Sequence, residues 1–236
     1  MTRRRQWSVA TIVLLSAMHA ASEAVAQDIV AGWEGERGRG YVFVAPGFEP
    51  IVSGQHRLAI RASASYLYYE YAEADGQAEV RSPGGSVSIG YRLARPRVTL
   101  TVAPGIEFRR TARMRGPVTG RETEVGGTIQ SDVFARLSER VRASFITSYG
   151  HANQYVWTRG GILYELNGPD STRSWRAGIG LEATGQGNRD AQVGQLGGVV
   201  DFSATRTPIS LQVRVGAASS EGDRQLYLGI GAYRRF

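Results

Sequence analysis

The sequence predicts an all-β fold: an antiparallel, up-and-down transmembrane β-barrel of about twelve strands that follows an N-terminal signal peptide. Three observations carry this expectation. Glycine fills 30 of 236 positions, nearly twice the usual ~7% share, and each glycine inside a helix costs roughly 0.5–1 kcal/mol. Apolar and polar residues alternate with period two almost continuously after residue 27, which sends successive side chains to opposite faces of a strand. The polar face is rich in Gly, Ser and Arg, while the apolar face is unbroken. A water-soluble sandwich needs the reverse; a barrel with lipid outside and a wet interior needs this.

The first element is an export signal. Arg3, Arg4 and Arg5 form a positive start, residues 7–18 an apolar stretch of 12 residues, and Ala24-Val25-Ala26 a small-x-small cleavage site. Twelve apolar residues fall short of the ~20 a spanning helix requires. Cleavage after Ala26 leaves residues 27–236 as the barrel and directs the protein out of the cytoplasm to the outer membrane.

The strands follow in order at 28–35, 40–50, 56–71, 78–94, 97–110, 122–138, 140–150, 154–166, 173–187, 191–203, 207–219 and 224–236. The third is typical: Leu58, Ile60, Ala62, Ala64, Tyr66 and Tyr68 share one face, and Arg57, Arg61, Ser63 and Ser65 the other. The first two segments alternate least, and without them ten strands remain. Twelve is an even number, as single-chain bacterial barrels require. Both termini are then periplasmic. Arg95-Pro96 and Glu139 are short periplasmic turns, and 111–121 is the longest link, on the outer side. Outward Tyr66, Tyr68, Phe108 and Tyr149 form an outer aromatic belt; Tyr91, Tyr164, Trp175, Phe202 and Phe236 form an inner one. The last strand alternates Leu226, Leu228, Ile230 and Ala232 up to Phe236. That pattern resembles the C-terminal assembly signal of outer-membrane barrels, from which Arg234 departs.

Composition removes much chemistry. There is no cysteine, and all 28 basic residues are arginine. Thiolate metal sites, disulfides, Schiff-base lysines and a P-loop lysine are thereby excluded. A net charge of +7 does not point to nucleic acid, because the arginines are scattered along alternating strands rather than gathered beside stacking aromatics. The densest group, Arg109, Arg110, Arg113, Arg115 and Arg121, reads either as a solvated basic loop or as a contact for lipopolysaccharide phosphates or an anionic polysaccharide. After residue 27 only His56 and His151 remain. His151 stands near Ser148 and Asn153, but neighbours in sequence do not make a triad. No metal-ligand spacing exists, and Gly178-x-Gly180 is a strand pattern because no helix follows it. No cofactor and no catalytic centre are expected.

Two groups of inward side chains are candidate sites. Asp132, Arg159, Glu182 and Arg214 have inward parity near mid-strand. Buried charges must be paired or hydrated, so these four either form a belt across the lumen or line a wet interior. In strand 8, Tyr155, Trp157 and Arg159 share a face, with Val156, Ile162 and Tyr164 on the lipid side. Two rings above a guanidinium would suit the flat C–H face and hydroxyl rim of a glucan. A one-residue slip in phase would instead put both rings in the outer belt.

The stretch 148–161, SYGHANQYVWTRGG, and the stretch 180–197, GLEATGQGNRDAQVGQLG, with the tyrosine-rich third strand, resemble the BcsS family of bacterial cellulose-biosynthesis proteins. The resemblance implies a secreted barrel that works in cellulose export or assembly at the outer membrane, as a channel component or an anchor, with cellulose and other secretion proteins as partners. A general small-solute pore and a barrel enzyme acting on lipid or peptide are the alternatives from other classes.

Overall fold

The computed structural model describes residues 28–73, 76–115, 118–152, 154–167, 174–187, 192–204, 208–220 and 223–235. The expected signal peptide, its cleavage site, Asn153 and the terminal Phe236 lie outside them. Thirteen strands run in chain order: β1 (Asp28–Glu36), β2 (Arg39–Phe48), β3 (Ile51–Ser53), β4 (His56–Glu73), β5 (Gly76–Ala94), β6 (Val98–Arg115), β7 (Val118–Arg136), β8 (Val141–Gly150), β9 (Tyr155–Glu165), β10 (Trp175–Gly187), β11 (Gln192–Ala204), β12 (Ile209–Ser220) and β13 (Asp223–Arg235). Each pairs antiparallel with its sequence neighbour, except that β2 and β3 lie end to end and both pair with β4. Glu49 and Pro50 separate them, because proline supplies no N–H to a ladder. Thirteen strands therefore make twelve staves.

The seam that closes the barrel joins β1 to β13, from Asp28 opposite Arg235 to Gly35 opposite Leu228. Closure leaves no sheet edge around the circumference, the condition for a β structure to cross lipid. Turn chemistry sets the register at two places. Gly38, with φ of 76°, closes the two-residue turn between β1 and β2, and Gly54, with φ of 52°, closes the one between β3 and β4. Both lie in the left-handed region that favours glycine.

Outward faces are apolar and exposed: Leu181, Ile106, Leu196 and Leu226 on four different strands are 65–79% accessible. Two aromatic belts border this band. Tyr66, Phe108 and Tyr149 mark the distal side; Tyr91, Tyr164, Trp175 and Phe202 mark the side of the chain termini. Val156, opposite Tyr149, and Tyr164 share the outward face of β9 eight residues apart. That is about 27 Å along the strand and roughly 20 Å in height at the usual tilt, enough for an apolar membrane band.

One expected element differs. Residues 111–121 are not a long outer link: β6 and β7 continue through them, paired from Thr111 opposite Glu122 to Arg115 opposite Val118. Just below this extension Arg109 stands opposite Glu124, a cross-strand pair of opposite charge that favours the ladder. The longest interval between successive strands instead separates Glu165 of β9 from Trp175 of β10. The two ends are thus distinguished by strand overhang rather than by loop length. β4 to β7 have 18–19 residues each, whereas β8 ends at Gly150, opposite Thr128. Ten residues of β7 rise beyond that point, about 30 Å along the strand. A four-stranded flap therefore stands above the distal rim.

Inside, large side chains lie flat against glycine. A Cβ on Gly197 would fall 2.5 Å from the Tyr227 hydroxyl, and one on Gly216 would fall 2.7 Å from its ring. Tyr227 itself is buried. Part of the glycine richness has this use: Gly32, Gly197, Gly216 and Gly231 leave a thin wall against which the Phe43 and Tyr227 rings and the Arg214 guanidinium rest.

Candidate functional site

The lumen carries the chemistry. Odd-numbered residues of β9 and even-numbered residues of β10 and β12 face it, because the even residues of β9 (Val156, Ile162, Tyr164) and the odd residues of β10 and β12 (Ile179, Leu181, Val213, Val215) are the exposed outward ones. Arg159, Glu182 and Arg214 are consequently brought together. Glu182 accepts from Arg214 Nε at 3.1 Å through Oε2 and sits 3.4 Å from Arg159 Nε through Oε1. Arg159 Nε also donates to Thr184 Oγ1 at 3.2 Å.

The other end of the Arg159 fork, Nη2, pairs with Glu34 of β1. β9 and β1 are five staves apart on a twelve-stave circle, so this ion pair spans the lumen from wall to wall. The chain of contacts continues toward the terminal rim. Arg214 Nη2 donates to Gln212 Oε1, Gln212 Nε2 donates to Asp201 Oδ2 at 2.9 Å, and Arg142 reaches Asp201 at 3.5 Å and Glu165 at 2.8 Å. Three arginines and four carboxylates from six strands make one oblique network. Arg159, Glu165, Glu182 and Asp201 within it are all buried. A buried ion without partners costs several kcal/mol, which explains why each charge touches an opposite one.

Asp132 lies apart from this network. It faces the lumen as its parity requires, but its partner is Arg61 of β4 at 2.8 Å, with Gln130 Nε2 donating to its other oxygen at 2.8 Å. A further pair, Arg92 with Glu49, stands near the terminal rim. The four charges grouped by the sequence thus divide into two clusters, and Glu34, Arg61, Arg142 and Asp201 join them.

Above the network, toward the distal rim, the lumen is aromatic. Tyr155 and Trp157 both face inward, in phase with Arg159. The Arg159 guanidinium carbon lies 4.8 Å from the Trp157 ring centroid, a cation–π distance. Tyr155 donates its hydroxyl to Gln186 Oε1 at 2.9 Å. Tyr41 and Phe43 of β2 also face inward, stacked with centroids 5.7 Å apart and planes at 24°. Sequence reasoning missed these two, because Tyr41-Val-Phe-Val44 is apolar on both faces and gives no alternation to read.

The histidines stand at opposite ends. His56 begins β4 and pairs with the Tyr91 hydroxyl at the terminal rim, while His151 is exposed in the distal β8–β9 link. Among the described residues no three His, Cys, Asp or Glu side chains are placed to hold a metal ion.

Comparison with known proteins agrees with the pattern of a polar-lined, glycine-walled barrel. The profile of the cellulose biosynthesis protein BcsS matches residues 22–236. The chain belongs to the BcsS family. No curated protein matches it. Solved structures that resemble it are outer-membrane barrels. The β domain of the Bordetella autotransporter BrkA is 13% identical, with a TM-score of 0.60, over 89% of this chain and 100% of that one. The transport unit of the autotransporter AIDA-I from Escherichia coli is 10% identical, with a TM-score of 0.58, over 89% of both chains. The COG4313 outer membrane channel from Pseudomonas putida F1 is 12% identical, with a TM-score of 0.53, over 90% and 96%. At these identities the likeness concerns the fold. Membership of the BcsS family connects the barrel to cellulose biosynthesis.

Proposed function

We propose that this BcsS-family barrel is exported by cleavage after Ala26, inserts in the outer membrane with its termini periplasmic, and holds cellulose chains at its distal mouth as an anchor of the secretion machinery. The observation that carries this reading is the Arg159–Glu34 pair, which ties opposite walls of the lumen together. A lumen crossed by ions in this way is a poor open conduit for a polymer. The inward rings above it, Tyr41, Phe43, Tyr155 and Trp157, make an aromatic vestibule on the distal side of that pair. Rings of this kind bind the axial C–H face of a glucan, and the Gln186 amide and Arg159 guanidinium supply polar contacts for its hydroxyls. The role proposed for these residues is binding.

The test has two arms. Deleting the gene lowers extracellular cellulose, and wild-type levels in the deletion strain would refute the cellulose role. In planar bilayers the purified barrel conducts weakly, and Arg159→Ala raises its conductance. A wide, steady conductance in the parent protein would instead favour the small-solute pore.

A further inference from the structure

The outer face of the distal flap carries a second candidate site, which faces lipid rather than the lumen. On β6 the outward residues are Ile106 and Phe108, then Arg110 and Ala112, and on β7 they are Val125 and Arg121. The apolar members are 58–69% accessible, and Arg110 and Arg121 are exposed. Ala112 stands opposite Arg121 on one side and opposite Arg81 of β5 on the other. Arg110 lies two residues from Ala112 on the same face. Three guanidinia from three adjacent strands therefore surround one alanine. With strands ~4.8 Å apart, Arg81 and Arg121 are separated by about 10 Å at their backbones.

Alternation divides the charges of the hairpin by sign. Glu122 and Glu124 of β7 and Glu107 of β6 fall on the inner side, where Glu124 stands opposite Arg109. No carboxylate of β6 or β7 shares the outer face with Arg110 and Arg121. Arg81 is shared with Glu79, and Tyr68 stands opposite it on β4. Directly below this basic group begins the lipid band, with Phe108, Val125, Ile106 and Val87 in one patch. Of the arginines gathered in this sequence segment, Arg109 and Arg113 belong to the inner side and Arg110 and Arg121 to the outer.

We infer that Arg81, Arg110 and Arg121 bind the phosphate groups of lipopolysaccharide while its acyl chains lie on Phe108, Val125, Ile106 and Val87. Guanidinium forks match phosphate oxygens bidentately and keep their charge at any physiological pH. A phosphorylated glycolipid with acyl chains is the ligand whose charged and apolar parts meet at the height where this surface changes from arginine to phenylalanine. The inference rests on the distal rim facing the cell exterior and not on the glucan vestibule.

The experiment uses the full barrel purified in detergent and titrated with hexa-acylated lipid A in its bisphosphorylated form, in its dephosphorylated form, and with phosphatidylglycerol, read by native mass spectrometry. The expected result is selective binding of bisphosphorylated lipid A, reduced about fivefold or more in Arg110→Gln/Arg121→Gln and unchanged in Arg113→Gln, whose side chain belongs to the inner side. Heat-modifiable migration of each variant establishes that it is folded. Equal binding of dephosphorylated lipid A, equal binding of phosphatidylglycerol, or an unaltered double variant would each overturn the site. Cellulose output of the double variant separates the two readings: loss of lipid binding with normal cellulose leaves the vestibule standing.

Discussion

Arg159 touches Glu34, Glu182, Thr184 and the Trp157 ring, so its removal takes the guanidinium away from Glu34 and leaves Glu182 with Arg214 alone. Breaking such a pair from one side costs about 3–5 kcal/mol. Arg159→Ala should lower the urea midpoint of the refolded barrel by that order. Glu34→Gln/Arg159→Gln should lose less, because it leaves no carboxylate at position 34 without its partner. Equal losses in the two proteins would show that the ion pair is not what holds the walls. At the vestibule, tryptophan emission during titration with cello-oligosaccharides should change in the parent and lose most of the change in Trp157→Phe. A parent signal indifferent to the sugar, with normal cellulose from Trp157→Ala cells, would leave Trp157 only its contact with Arg159. Much of this site was legible in the chain. Arg159, Glu182 and Arg214 share inward parity on strands with clear alternation, and Tyr155 and Trp157 follow Arg159. Glu34 was not legible, because its partner is supplied by closure of the barrel and not by any local pattern. Asp132 shows its face by parity but not its companions, Arg61 and Gln130, for the same reason: parity fixes a face, whereas the choice of partner across a lumen depends on tilt and stagger.

At the scale of elements, Tyr227 and the glycines beneath it form a testable unit. Gly216 has no room for a side chain, since its Cβ would fall 2.3 Å from the Leu196 carbonyl as well as near the Tyr227 ring. Gly216→Leu should therefore destabilise by about 1–3 kcal/mol through overpacking, and Tyr227→Ala in the same chain should recover part of the loss. Full additivity of the two losses would show that the ring and the glycine are not in contact. The flap makes the opposite prediction. Replacing 112–121 with Asn-Gly keeps the ladder from Arg110 opposite Thr123 downward. It should leave a heat-modifiable barrel of unchanged thermal stability, and failure to fold would mean that the hairpin nucleates assembly. The strand positions themselves were readable to within a few residues wherever apolar and polar residues alternate. The overhang was not. Residues 111–121 combine Arg, Gly and Pro, a composition that reads as a loop, whereas β6 and β7 keep their ladder as far as Arg115 opposite Val118. The break between β2 and β3 was hidden similarly, because Pro50 ends one segment in a stave that the neighbouring β4 holds continuous.

The whole molecule is a single closed ladder, and the seam sets the order in which it is completed. β1 is the first strand to be synthesised and β13 the last, yet Asp28 pairs with Arg235. Contacts this distant in sequence make for slow folding. Until the 13 residues of β13 arrive, the edge of β1 away from β2 presents a bare row of N–H and C=O groups. On the proposed route of export, the chain crosses the periplasm as an open sheet, the state most prone to aggregation. A premature stop at or before the start of β13 produces the same open sheet, whether it removes one strand or several. The gene should accordingly show no gradient of severity along its length: a stop codon at Asp223 is expected to abolish the heat-resistant band and lead to degradation as completely as one at Asp132.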